Sequence, residues 1–252
     1  MNAACVVAVL DTGINTDNIT GGNYLPEISF NPETDIPVTL KAHGTDVCNT
    51  ILKIAPEAIL LPVQITNEFG QLNTPLLEAA LDWILQKHQQ MNIKVVCAAF
   101  ADYTHHLTDK DFADSKVRHQ IILLKEQGVI VVAAAGNHQL SFNDKAIQGM
   151  AWPAIIREVV SVGALNREGQ IATYSQRLNK GMKTDCATTV FTMPDAPGDT
   201  SGATAVMAGV IAKLYTQHPG LTTTQLTAQL KSDMQIAKDE EENLWPVFFY
   251  RP

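Results

Sequence analysis

The chain has 252 residues, 46% of them hydrophobic and 17% charged, enough to bury a complete core and too apolar for a disordered chain. Its formal charge of -8 and pI near 5.3 exclude the basic surface that non-specific binding to nucleic acid or an anionic membrane requires. No apolar run reaches the roughly 18 to 20 residues that span a bilayer.

The first residues, Met1 to Val7, lack a basic region, and the apolar run Val6–Leu10 ends in Asp11 instead of a cleavage site, which argues against a signal peptide. Three more such runs follow, Ile59–Ile65, Ile93–Phe100 and Val129–Ala135. Near-continuous apolar strands of this kind mark a parallel sheet covered on both faces. Helical patterns fall between them. One opens at His43-Gly44-Thr45 and passes through Lys53-Ile54-Ala55-Pro56 into the next strand. Another has Thr74 as its N-cap and Pro75 at the first helical position, and continues through Leu81, Ile84 and Leu85 to about Met91. A third spans about Thr108 to Gln127 and stops at Gly128. The alternation implies right-handed βαβ crossovers, so the expected fold is α/β, a mostly parallel central sheet flanked by helices on both faces.

After Asn137 the segments shorten. Glu158–Ala164 and Gln170–Tyr174, joined by Asn166-Arg167-Glu168-Gly169, suggest a hairpin. A long apolar helix runs from Ser201 to about His218, stopped by Pro219-Gly220, and a further helix begins at a capping box of Thr222 and Gln225. The aromatic tail, 240–252, is expected to pack back on the body because large exposed apolar patches are rare on monomers. Neither an internal repeat nor a low-complexity linker interrupts the chain, so residues 1–252 are expected to form a single domain. Cys5, Cys48, Cys97 and Cys186 have no metal-type spacing and read as reduced structural thiols, which favours a cytoplasmic location, although a mature secreted chain with its targeting segment removed would look similar.

Chemistry gathers at four element ends. Ser201, in Gly198-Asp199-Thr200-Ser201-Gly202, places a hydroxyl on a tight turn at the positive end of a helix dipole, where an oxygen anion is stabilised. An alcohol is a weak nucleophile until a base takes its proton and a third group orients that base. Asp11 supplies a carboxylate at the end of a strand, His43 an imidazole at a helix start, and Asn137 a side-chain amide suited to an oxyanion. Taken singly, each has an ordinary reading: Asp11 as a turn residue, His43 as a surface histidine at a helix start, Ser201 as an N-cap. In Asp102-Tyr103-Thr104-His105-His106 the adjacent histidines of a strand would point to opposite faces, which disfavours a shared metal ion. A nucleotide-binding domain is disfavoured because no Gly-x-Gly-x-x-Gly follows the first strand. An aspartic protease built on Asp11-Thr12-Gly13 would need a largely β chain.

Together and in this order, the four segments resemble those of the subtilisin-like serine proteases. The resemblance extends from about residue 4 to 233 and includes Trp152-Pro153-Ala154 through Val160-Ser161-Val162-Gly163-Ala164; the separations of 32 residues from Asp11 to His43 and 64 from Asn137 to Ser201 are also close to the family's. It implies a serine endopeptidase in which Asp11 orients, His43 is the base, Ser201 is the nucleophile, and Asn137 with the Ser201 backbone N–H forms the oxyanion hole. It further implies that a peptide lies as an added strand along Ala99-Phe100-Ala101. The main specificity pocket would be walled by Ala134-Ala135-Gly136, with Ala151 near its floor. Such small residues leave room for a medium or large apolar side chain, and Asp102 beside that edge reads either as a solvated loop carboxylate or as an attraction for a basic group.

The departures from the family carry expectations of their own. Asp46 stands where relatives have a second His, and if desolvated it should raise the His43 pKa. Asp199, Gly202 and Ala205 replace the usual Gly, Met and Pro, and Gly202 is expected to loosen the oxyanion turn. The helix from His43 reaches the next strand without the loop that holds calcium in many relatives, so neither metal nor cofactor is expected. About ten residues precede Asp11, so no prodomain is expected. Restricted cuts, such as removal of a leader from a precursor peptide, fit these features, with a non-catalytic peptide-binding module of the same fold as the alternative. The expected partners are a peptide or protein substrate and a regulatory or precursor chain.

Overall fold

The computed structural model describes residues 4–30, 36–140, 149–178, 189–240 and 242–250. In chain order its strands are β1 (Val6–Asp11), β2 (Asn23–Tyr24), β3 (Ile28–Ser29), β4 (Ile59–Gln64), β5 (Ile93–Ala98), β6 (Ile130–Ala134), β7 (Val160–Ala164), β8 (Thr189–Thr192), β9 (Gln235–Lys238) and β10 (Leu244–Phe248). The helices are α1 (Ala42–Ile54), α2 (Thr74–Met91), α3 (Lys116–Glu126), α4 (Asp199–Gln217) and α5 (Thr223–Ser232). All these strands join one sheet, in the order β2-β4-β1-β5-β6-β7-β8-β10-β9, with β3 also on β4. Its pairings are parallel except that of β9 with β10.

The two-residue period of a strand sorts side chains to two cores. Val7 and Val9 of β1, with Val95 and Cys97 of β5, pack against α1, α4 and α5. Val6, Ala8 and Leu10, with Val96 and Ala98, pack against α2 and α3. Each fully buried Val, Leu or Ile contributes about 1.5 to 3 kcal/mol, so both layers are needed. Thirteen of the nineteen residues of α4 are buried, as befits a helix apolar on every side. Gly209 lets α1 lie close against it, since a Cβ there would stand 2.9 Å from that of Ile54.

The α/β architecture is as expected, and three local expectations are corrected. The cap of α2 is Asn73, whose Oδ1 accepts from the Leu76 N–H at 3.1 Å; Thr74 already lies in the helix. Residues 108–127 do not form one helix: a 3-10 turn at Lys110–Phe112 precedes α3, which starts after an extended Ser115. Buried Asp109 accounts for the break, because its carboxylate is held by Arg157 at 2.6 and 2.7 Å and fixes the segment outside the helix. Gln170–Tyr174 is not a strand. β7 is already paired on both sides, by β6 and β8, and only the Leu165–Ile171 bridge closes the Asn166–Gly169 turn.

The capping box forms, with the Thr222 N–H donating to Gln225 Oε1 at 2.8 Å and the Gln225 N–H to Thr222 Oγ1 at 3.3 Å. The aromatic tail does pack back, as β10 sits between β8 and β9 with Val247 fully buried. Cys5, Cys48 and Cys97 are free and buried, while Cys186 lies outside the described residues. Among the described residues, no helix is long and apolar enough to cross a membrane.

Arg177 belongs to no motif in the sequence. It is completely buried, donates to the Ser175 carbonyl at 2.8 Å and to Asp239 at 3.3 Å, and pairs with Glu240. Asp239 also accepts from the Asn243 N–H and from Trp245 Nε1, each at 2.8 Å, so this ion pair ties the β9–β10 turn to the body. Removing one partner of a buried pair strands the other's charge. Arg177→Ala should therefore lower the unfolding free energy in urea by about 3 kcal/mol, and a midpoint unchanged from wild type would show the pair to be inert.

Candidate active site

The C-terminal ends of β1, β5 and β6 open onto a cleft of about 890 Å³, the edge of a parallel sheet where ligands of α/β folds bind. Asp11, the last residue of β1, is buried and accepts from the Thr12 N–H at 2.7 Å. The start of α1 is built against it. A Cβ on Gly44 would stand 2.3 Å from the Gly13 carbonyl oxygen and 3.2 Å from the Asp11 Cβ, so only glycine allows this approach. Thr45 fastens the same turn, donating to the Lys41 carbonyl at 2.7 Å and accepting from the Asn15 N–H at 2.8 Å.

This packing brings His43 Nδ1 to 2.8 Å from Asp11 Oδ1 and 3.0 Å from Oδ2. A carboxylate only accepts, so the proton is on Nδ1 and Nε2 carries the free lone pair. Burial alone would lower the His43 pKa, but the Asp11 charge and hydrogen bond, followed by the Asp46 charge, outweigh it and raise the value. Asp46 thus acts in the expected direction.

Ser201 lies in the first turn of α4, and it lines the same cleft as Asp11, His43 and Asn137. No hydrogen bond joins Ser201 to His43 among the described residues; such contacts are commonly long before substrate binds. Asn137 is aimed by a neighbour of Ser201: its Oδ1 accepts from Thr200 Oγ1 at 2.7 Å and from the Thr200 N–H at 3.1 Å. With the oxygen held there, the Asn137 amide keeps its two N–H donors for other acceptors. Thr200 carries only a faint signal in the sequence, its position next to Ser201.

The departures around Ser201 acquire physical reasons. Asp199 has φ 50°, a left-handed conformation that explains the glycine of relatives at this place. Its carboxylate accepts from Tyr174, whose phenol is pushed up to about 12 by burial and then by the Asp199 charge and hydrogen bond. Gly202 does not loosen the turn. A Cβ there would stand 1.9 Å from the Asp195 carbonyl oxygen, so the glycine lets α4 begin tight against that loop.

Of the expected binding residues, Ala99, Phe100 and Ala101 line the cleft. Ala134, Ala135, Gly136 and Ala151 are buried, with the Ala151 N–H donating to the Ala135 carbonyl at 3.0 Å. The room expected beside Gly136 is occupied by the side chain of Gln176. Asp102 is committed to its own loop, accepting from the N–H groups of Trp152 at 2.9 Å and Thr104 at 3.3 Å. Burial would raise its pKa, yet hydrogen bonds from His106, Thr104 and Trp152 lower it. Phe69 and Leu72 also line the cleft and belong to no sequence motif.

Two outcomes follow from this geometry. In NMR titrations the His43 imidazole should titrate above the ordinary histidine range; Asp46→Asn should lower its pKa and Asp11→Asn should lower it further. A raised histidine pKa adds stability that is complete below about pH 6.5 and is lost as pH rises through the folded-state value, so unfolding experiments should show that decline in wild type and less of it in Asp11→Asn. Gly202→Ala should destabilise the fold by about 1 to 3 kcal/mol, the usual range for overpacking, as read by urea unfolding.

A model of the Subtilase family matches residues 2–244. Subtilisin E of Bacillus subtilis (strain 168) is 28% identical over 247 residues, covering 90% of this chain and 59% of that protein, so the chain spans about three-fifths of that relative's length. The Intracellular serine protease of Paenibacillus polymyxa is 28% identical over 195 residues, covering 69% of this chain and 53% of its own. Among solved structures, that of the prenylagaramide maturation protease PagA superposes with a TM-score of 0.73 at 18% identity, covering 96% of this chain and 87% of the other, a likeness of fold. With nearly the whole length matched, the chain belongs to the subtilase family.

Proposed function

We propose that the chain is a serine endopeptidase with Ser201 as nucleophile, His43 as general base and Asp11 as the group that orients it. The observation that carries this reading is the contact of His43 Nδ1 with both Asp11 oxygens, in a cleft also lined by Ser201 and Asn137. As the Ser201 hydroxyl attacks a peptide carbonyl, His43 Nε2 takes its proton and then delivers it to the leaving amine. Asp11 stabilises the imidazolium. The carbonyl oxygen, now negative, is received by the Asn137 amide and the Ser201 backbone N–H. Water then releases the acyl group by the same proton path.

The substrate is a peptide laid along Ala99-Phe100-Ala101. Restricted cutting, such as maturation of a precursor peptide, is supported by the fold shared with a maturation protease and by the filled space beside Gly136. A cytoplasmic location is supported by three buried free thiols and by a relative named as intracellular. A regulatory or precursor chain is proposed as the source of further restraint.

The second reading is a peptide-binding module without catalysis, favoured by the missing hydrogen bond between Ser201 and His43. A fluorophosphonate probe separates the two. Labelling of wild type that is lost in both Ser201→Ala and His43→Ala supports the enzyme; peptide binding without labelling supports the module. In the enzyme, Ser201→Ala should reduce kcat by about 10⁴-fold or more, and Asn137→Ala by about 10² to 10³-fold, the range known for one oxyanion donor of a subtilisin.

A further inference from the structure

A carbonyl held at Asn137 and attacked by Ser201 places the side chain of the residue being cleaved beside the segments flanking Asn137. Those segments, 99–103 and 134–138, lie at or follow the adjacent C-terminal ends of β5 and β6. Between them the sequence leaves space, because Ala134, Ala135, Gly136 and Ala151 are all small. That space is taken. Where a Gly136 Cβ would stand, Gln176 Oε1 lies 2.1 Å away and the Ala151 Cβ 2.9 Å away.

Gln176 is completely buried and cannot swing aside freely. Its Nε2 donates to the carbonyls of Thr104 at 3.0 Å and Gly149 at 3.2 Å, its Oε1 accepts from the His138 N–H at 3.3 Å, and its own backbone N–H donates to the Gly136 carbonyl at 2.9 Å. Displacing it would strand a buried amide, which is costly. The rings of Tyr103 and His138 meet at 4.9 Å, joining the two segments. Side chains thus fill the gap at Gly136 and link the two segments beside it.

We propose that Gln176 is a specificity-determining residue: it plugs the pocket for the residue on the acyl side of the cut and limits that residue to a small side chain such as Gly, Ala or Ser. The inference rests on the proposed peptidase reading. It inverts the preference for a medium or large apolar group that the small residues alone suggest. A pocket that is already filled rejects a large side chain by overpacking, while a methyl fits without moving the amide.

The test compares hydrolysis of a peptide series differing only in that residue, Ala against Leu and Phe. Wild type should favour Ala over Phe at least about tenfold in kcat/KM, the lower end of what pocket size discriminates. Gln176→Ala should raise kcat/KM for Phe at least about tenfold, chiefly through KM, and leave Ala nearly unchanged. Gln176→Met, which fills the same space without the hydrogen bonds, should keep the wild-type preference, and thermal melts identify any variant that is merely misfolded. Wild-type preference for Phe, or the same selectivity in Gln176→Ala and wild type, overturns the proposal. Calorimetric binding of the same peptides to Ser201→Ala, with and without Gln176→Ala, reads the pocket without chemistry. Size selectivity there, together with a wild-type protein that never labels with fluorophosphonate, would overturn the peptidase reading alone; equal binding of Ala and Phe peptides would overturn the plug.

Discussion

The approach of α1 to the end of β1 is the contact on which the site depends. Gly44 sits so close to the Gly13 carbonyl that no side chain fits, and this approach sets His43 against both oxygens of Asp11. From that hydrogen bond follow the tautomer, the free Nε2 and the raised pKa. A second close approach, Gly202 against the Asp195 carbonyl, fixes the opposite wall by letting α4 start where Ser201 and Thr200 face the cleft. Two helices from the same core layer thus deliver the base and the hydroxyl to one edge of the sheet.

Several polar residues in and around the cleft are held by protein neighbours. Thr200 consumes both acceptor positions of Asn137, Thr45 bridges Lys41 and Asn15, and Asp102 is occupied by Trp152 and Thr104. A group held from behind reorganises little when charge develops in front of it, which is the condition for electrostatic stabilisation of an oxyanion. The same logic makes Gln176 effective. An amide bonded to three backbone groups behaves as part of the wall, although a lone glutamine in a sequence suggests only surface polarity.

Much of this was legible in the residues. Continuous apolar runs gave the parallel sheet, because a strand buried on both faces cannot alternate with polar positions. The capping box at Thr222 and Gln225 was readable because it is local. The expected hairpin after β7 failed for a non-local reason: both edges of β7 are taken by β6 and β8, which no turn sequence reveals. The helix expected from Thr108 failed likewise, because Asp109 is held by Arg157, forty-eight residues away.

The sequence by itself singled out the residues proposed to carry the chemistry, since Asp11, His43, Asn137 and Ser201 stand in segments whose pattern and order are distinctive. It also determined the sheet and the helices that hold them, through periodicities that act over a few residues. Only the tertiary structure decided how the cleft is shaped. Thr200 behind Asn137, Arg177 beneath the tail and Gln176 beside Gly136 act through contacts spanning 63, 62 and up to 72 residues. Contacts of that reach depend on how layers pack, and volume left by small residues in sequence is open or filled only once the distant side chain has a position.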